Sequence, residues 1–322
     1  MAQPFFIITI DTEGDNLWEK AHEITTQNAA YLARFQQLCE RFGFKPTYLT
    51  NYEMAQDATF QTFGRDIIHR KTGEIGTHVH AWNNPPLVSI TDDDDAHKTY
   101  LIEYPDDVMR DKFATTHRLL EEVFQTPMVS HRAGRWALDS RYVKLLIEFG
   151  YQADCSVTPE VNWRTTLGKP DGAGGTDYRF FPKHAYYMST SRIDQPGDST
   201  LLQVPMTTRF KYGATINTLK RWRAQWRGKP YQDSVSWLRP RGGNVGAMKK
   251  LVRRCLAEPK ADYVEFMLHS SEFMPGGSPT FRSEAHIENL YRDLEELFSW
   301  LTTICQGATL NDYACHVRRV SE

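Results

Sequence analysis

The sequence predicts an α/β fold in which mostly parallel strands curl into a barrel with helices outside. Three observations lead there. Short apolar runs of strand type alternate with segments of helical periodicity along the whole chain. Crossovers of that kind connect parallel strands. The 322 residues suffice for one such barrel. No linker, repeat or low-complexity tract divides them, so residues 1–322 are expected to form one domain.

The first element is "FFIITI" (5–10), an unbroken apolar run of the kind buried on both faces. Tyr31, Leu32, Phe35, Leu38, Cys39 and Phe42 then recur at helical spacing, and Gly43 stops the helix. "PTYLTN" reads as strand, and Phe60, Phe63, Ile67 and Ile68 mark a helix, although Gly64 within it opposes that reading. "GEIGTHVHAW" returns to strand before a polar loop containing "TDDDD". Residues 106–124 are helical, "TPMVSH" is a short strand, 139–149 is a helix closed by Gly150, and "YQADCSV" is strand. Residues 159–198, rich in Gly, Pro and polar groups, read as a long surface insertion of the sort that borders a binding cleft. "TLLQVPMT" resumes strand, a helix follows Gly242-Gly243 at about 245–257, and "ADYVEFMLHS" is the last strong strand. Ile287, Leu290, Tyr291, Leu294, Leu297, Phe298 and Leu301 complete an amphipathic helix.

Composition excludes several classes. Forty acidic residues nearly cancel 38 basic ones, which gives no footprint for nucleic acid and no polybasic membrane patch. Five widely spaced cysteines without a CxxC pair argue against a disulfide framework or a thiolate zinc site. The N-terminus lacks the charge pattern of a signal peptide, and no apolar stretch reaches the length of a membrane span. A cytoplasmic location is the expectation.

Polar residues collect at the predicted strand ends: Asp11 and Glu13 after the first, His78 and His80 on the third, His131 and Arg132 after "PMVS", Asp154 in "YQADC", and His269 after "VEFML". Parallel barrel strands bring their C-terminal ends to one mouth, where such folds place their active sites. In "THVH" the spacing of two puts both imidazoles on one face of an extended segment, which suits a shared divalent ion or a pair of hydrogen-bonded rim histidines. A carboxylate from a neighbouring strand makes the metal reading the stronger. Asp11 and Glu13 alternate in the same way, so one acid can hold the ion and the other act as base. Asp15 reads as loop. Arg132 is placed to keep the base ionised, His269 to act as general acid, and Asp154 to orient His269 or merely to cap a turn. Trp82, Arg135 and Trp136 are expected to line the cleft against substrate, with Arg135 and Trp136 reading equally as ordinary loop residues, and Glu272 lies near it or in solvent.

Together these segments resemble the polysaccharide deacetylase (NodB-homology) family, carbohydrate esterase family four. Five ordered motifs over residues 5–270 carry the resemblance: "TIDTEGD", "EIGTHVHAW", "SHRAGRW", "GYQADCSV" and "MLHSSE". It implies a distorted (β/α) barrel of about seven parallel strands, with Asp11 as catalytic base, Arg132 beside it, His269 as acid and Asp154 as its partner. It also implies one divalent ion, zinc first and cobalt, nickel or iron otherwise, on Glu13 and His78. The family's second histidine falls four residues after the first, where this chain has Trp82, so His80 is the substitute. "LHSSEFMPGGSP" and "WLRPRGGN" are similar to a WalW-like subgroup associated with lipopolysaccharide or capsule assembly. The implied activity is metal-dependent removal of an N-acetyl group from an amino sugar. A glycan-binding protein without turnover, a sugar deformylase and a phosphoesterase are the alternatives.

Overall fold

In a computed structural model the residues described are 3–18, 23–212, 214–228 and 234–321. The strands are β1 (Phe5–Thr12), β2 (Thr47–Thr50), β3 (Glu74–Val79), β4 (Ser130–Ala133), β5 (Ala153–Asp154), β6 (Tyr186–Tyr187), β7 (Leu202–Gln203), β8 (Thr208–Phe210), β9 (Val235–Trp237), β10 (Tyr263–His269) and β11 (Gln306–Ala308). The helices of the first half are α1 (Leu32–Arg41), α2 (Tyr52–Gln56), α3 (Ala58–Arg70), α4 (Asp94–His97), α5 (Asp106–Phe124) and α6 (Ser140–Glu148). Those of the second half are α7 (Ala214–Trp226), α8 (Val245–Leu256), α9 (Glu284–Leu301) and α10 (Leu310–Ser321).

The sheet runs β10-β1-β2-β3-β4-β5-β7 with parallel pairing throughout, and β6 adds antiparallel to β7. β11 lies beside the first half of β1, along Phe5–Ile7, and β2 takes over from Thr9. The open side between β7 and β10 is bridged by isolated bonds rather than a ladder. Glu265 N donates to Thr207 Oγ1 at 2.8 Å, and the Tyr263 hydroxyl to Pro205 O at 2.8 Å. This is the distorted barrel the sequence predicts.

Local chemistry sets the element ends. Asp57 caps α3 by accepting from Phe60 N at 2.8 Å, and Asp139 caps α6 by accepting from Tyr142 N at 2.9 Å. Gly43 and Gly150, at φ +71° and +81°, end α1 and α6 in the left-handed conformation. Gly64 stays helical because Phe124 needs its space: a Cβ there would lie 2.4 Å from the Phe124 ring.

Two apolar layers result. The larger lies between the sheet and the outer helices and includes Phe6, Ile8, Ile10, Phe35, Phe113, Phe266 and Phe298. The smaller fills the barrel floor with Ile7, Leu49, Cys155, Leu202 and Tyr263, closed from below by Leu310 and Tyr313 of α10. The predicted surface insertion at 159–198 is more embedded than its composition suggests. Val161, Tyr178, Phe181, Tyr186 and Met188 are buried, and β6 within it joins the sheet. Its Gly and Pro residues conceal a sparse set of large apolar anchors. All five cysteines are free. Among the described residues no helix is long and apolar enough to cross a membrane.

Candidate active site

Strand alternation builds the site in layers. On β1 the side chains of Phe6, Ile8 and Ile10 meet the helices, while Ile7 lies in the floor and Thr9 and Asp11 rise above it toward the mouth. On β10 the inward row includes Tyr263 in the floor, then Glu265, and His269 at the mouth. The ladder sets Asp11 opposite His269, and the β3–β4 ladder sets His78 opposite Arg132.

The middle layer is a buried charge cluster centred on Arg132, which is fully buried. Its Nη1 donates to Asp11 Oδ1, and its Nη2 to Thr9 Oγ1 at 2.6 Å and to Glu265 Oε1 at 2.5 Å. Burial raises the Asp11 carboxyl, but Arg132, His78 and His269 together outweigh it and hold the group below its ordinary range. Asp11 is therefore ionised at neutral pH. Glu265 goes the other way. Burial pushes it up to about 7 against the pull of Arg132, and its Oε2 has no hydrogen-bond partner.

Above this layer Glu13, His78 and His80 converge, with one potential ligand atom from each lying within 4.8 Å of the others. Glu13 Oε2 is 2.7 Å from His80 Nε2 and 3.6 Å from His78 Nε2, and the two Nε2 atoms are 3.0 Å apart. His78 Nδ1 donates to the Arg132 carbonyl at 2.8 Å, which leaves the Nε2 lone pair aimed at the cluster. His80 Nδ1 is buried without a partner, and its ring packs edge-on to Trp82 at 4.4 Å. Burial raises Glu13, yet the two imidazoles bring it well below the usual range. Two imidazole nitrogens and one ionised carboxylate, all buried, fit a divalent transition ion.

His269 stands on the far side of Asp11, its Nε2 3.8 Å from Asp11 Oδ2 and 3.7 Å from Glu13 Oε1. Glu272 holds it from behind: its Oε2 accepts from His269 N at 2.9 Å, lies 3.3 Å from Nδ1, and is paired with Arg239 Nη2 at 2.9 Å. Burial raises the Glu272 carboxyl, but Arg239 and His269 keep it low, so it is a buried anion. The pocket over these groups measures about 200 Å3 and is walled by Trp18, Trp82 and Trp136 with Arg135 at its edge. Arg135 and Trp136 sit at φ +53° and +63°. They follow Gly134, where a Cβ would lie 2.2 Å from Val79 O, so the turn presses directly on β3. The Trp136 ring also covers the Arg132 guanidinium, 4.6 Å from the ring centroid. Beyond Trp136 a cleft of about 470 Å3 continues between Trp163, Trp237, Lys211, Arg239 and Arg241.

Asp11, Glu13, His78, His80, Arg132 and His269 thus come together as expected, with Trp82, Arg135 and Trp136 around them. Asp154 does not join them. Its neighbour Cys155 faces the floor, so Asp154 points the opposite way, into the helix layer. There its Oδ1 is 2.7 Å from His131 Nδ1 and accepts from Ser156 Oγ at 2.7 Å. The partner assigned to it, His269, is served by Glu272 instead. Sequence reasoning missed Arg239, Glu265 and Trp18, and left Glu272 undecided. Glu265 had a signal: it is the one acid inside the apolar strand "YVEFML". Asp15 is loop as expected but buried, accepting from Asn28 N at 3.2 Å.

No family model matches the sequence, and no curated protein matches it. Among solved structures the chain is similar to a proposed polysaccharide deacetylase from Mycobacterium smegmatis, at 16% identity and TM-score 0.53, over 99% of this chain and 92% of that one. It is similar to a proposed glycoside hydrolase/deacetylase from Parabacteroides distasonis at 9% identity and TM-score 0.66, over 98% of this chain and 72% of that one. A 4-alpha-glucanotransferase from Thermococcus litoralis matches at 13% identity and TM-score 0.52, over 97% of this chain and 40% of that one. At these identities the likeness is one of fold, and the fold is that of the polysaccharide deacetylases. The glucanotransferase shares it under a different reaction, so the chemistry has to be read from the site.

Proposed function

We propose that the protein is a metal-dependent hydrolase that removes an acyl group, acetyl first, from the nitrogen of an amino sugar in a glycan or glycan precursor. One observation carries the reading: the Glu13–His78–His80 donor set lies directly beside an ionised Asp11 and an inward-facing His269. Glu13, His78 and His80 would hold a divalent ion, zinc foremost, which when bound would supply Lewis acidity toward an acyl carbonyl and a water. Asp11 has Oδ1 occupied by Arg132 and keeps Oδ2 for the proton of the attacking water. His269, backed by Glu272, presents Nε2 to the departing amine and protonates it. Trp18, Trp82 and Trp136 give the sugar ring apolar faces to stack on, and the adjoining cleft leaves room for the next unit.

The test is acetate release from N-acetylated chitooligosaccharides with zinc or cobalt added. Asp11→Asn is expected to cost roughly 10²–10⁴ in rate. Unchanged turnover in that variant removes Asp11 as base. The second reading, a glycan-binding protein without turnover, is supported by the bare His80 Nδ1, which lacks the orienting bond that His78 has. Glycan binding together with no stoichiometric zinc uptake would decide for it.

A further inference from the structure

The near-balance of charge over the chain conceals a local imbalance. No acidic residue occurs between Asp198 and Asp233, while Lys211, Lys220, Arg221, Arg223 and Arg227 fall within that interval. Lys220, Arg221 and Arg223 lie on α7 and Arg227 directly follows it; the helix is inserted between β8 and β9 at the rim of the cleft that adjoins the active site.

The helix is exposed on its apolar side. Ile216, Leu219, Trp222 and Trp226 are 48%, 61%, 67% and 78% accessible. At 3.6 residues per turn Leu219, Trp222 and Trp226 share an arc of about 60°, with Ile216 about 60° further round. Asn217, on the opposite side, is buried and donates to Tyr212 O at 3.0 Å, so it is that side which turns toward the body of the protein. Lys220, Arg223 and Arg227 border the tryptophan face along one edge. A core helix shows the reverse arrangement, apolar face in and charges out.

We propose that α7 docks the protein on an anionic lipid surface, lying in the interface plane with its tryptophan face inserted among the headgroups. Two features select this occupant over a protein partner. Tryptophan beside Lys and Arg, with a single-signed charge, is the composition of interfacial helices. The cations along its edge, Lys220, Arg223 and Arg227, also match the negative potential of membranes containing acidic lipids. Seated this way, the cleft beside the helix meets glycans carried at or near the bilayer. The inference concerns attachment and stands independently of the reaction proposed above.

Co-sedimentation of the full chain with vesicles tests it, using phosphatidylcholine alone and phosphatidylcholine mixed with phosphatidylglycerol. The expected result is partition onto the mixed vesicles, at least ~10-fold above the neutral ones, falling as salt is raised. Trp222→Ser with Trp226→Ser is expected to lower that partition by ~10-fold or more, and to abolish a blue shift of tryptophan emission on vesicle addition. Lys220→Gln, Arg223→Gln and Arg227→Gln together should remove the preference for acidic lipid. All five positions lie outside the site, so unchanged circular dichroism shows the variants folded. Equal binding to neutral and acidic vesicles, or none to either, overturns the proposal. So does a dimer in sedimentation equilibrium that the tryptophan variant converts to monomer, because a second copy would then be the occupant.

Discussion

Asp154 is bound to His131, 2.7 Å from its Nδ1, with both side chains fully buried on the outer face of the sheet. The carboxylate lies behind the strand whose opposite face carries the site. Asp154→Asn is therefore expected to act on stability. Losing a buried charge-assisted bond costs about 1–3 kcal/mol, and the thermal midpoint should fall while the pH profile of turnover keeps its shape. A changed profile at unchanged stability would restore a catalytic partnership with His269.

Glu272 and Arg239 take over the positioning of His269. Glu272→Gln keeps the acceptor for the backbone N–H but removes the anion behind Nδ1. Turnover is expected to drop about tenfold with KM little changed, as for partners that orient a reacting imidazole. Steady-state kinetics on a single N-acetylated oligosaccharide check this, and a rise in KM alone would argue for a substrate contact instead.

Glu265 should make the fold respond to pH. Its folded-state carboxyl is raised to about 7 by burial, against an ordinary value of 4.5. In the unfolded chain it ionises first, so its contribution is full below pH 4.5 and lost as pH rises toward 7. Asp11 and Glu13 are lowered, and their contributions are lost as pH falls through their folded-state values. Glu265→Gln removes the first effect alone. Urea unfolding at several pH values should show stability declining across that window by up to about 3 kcal/mol more in the parent than in the variant, which keeps the decline due to Glu53, also pushed up to about 7 by burial.

As candidate ligands His78 and His80 are not equivalent, because only His78 has its second nitrogen fixed. Zinc is expected to raise the melting temperature of the parent and a chelator to reverse the rise. His78→Ala should abolish that response. His80→Ala should weaken zinc affinity by roughly 10–100-fold, as read by competition with a fluorescent chelator. Full-strength zinc binding in His80→Ala would remove it from the donor set.

Gly134 is a steric hinge of the site. A methyl group there meets the Val79 carbonyl, which belongs to the strand that carries both histidines. Gly134→Ala is expected to destabilise by about 2 kcal/mol or more and to impair zinc binding, measurable in the same melting assay.

Much of the site was legible because alternation along a strand is short-range information. "TID" and "THVH" state which side chains share a face, and parallel order states where they end. What escaped was long-range or cumulative. Facing of Asp154 depends on Cys155 entering the barrel floor, and nothing local to "YQADC" reveals which of the two turns inward. Glu272 takes its role from Arg239, 33 positions away. The 159–198 segment looked like surface because Gly and Pro outnumber the few aromatic anchors that bury it. The basic stretch around α7 disappeared in a charge total of −2, since acids elsewhere cancel it.

The pairing of β1 has a consequence for how the molecule is made. Its partners on one side are β2 and β11, and on the other β10, so residues 5–12 wait for strands beginning at Tyr263 and Gln306. Contacts of such sequence separation close late and slow the folding of a chain. β1 leaves the ribosome before any of these partners and is therefore among the last strands to be fully hydrogen-bonded. Asp11 gains His269 and Glu13 gains Ser270 Oγ, 3.1 Å from its backbone nitrogen, in that same closure. Assembly of the candidate site and completion of the barrel are then expected to coincide.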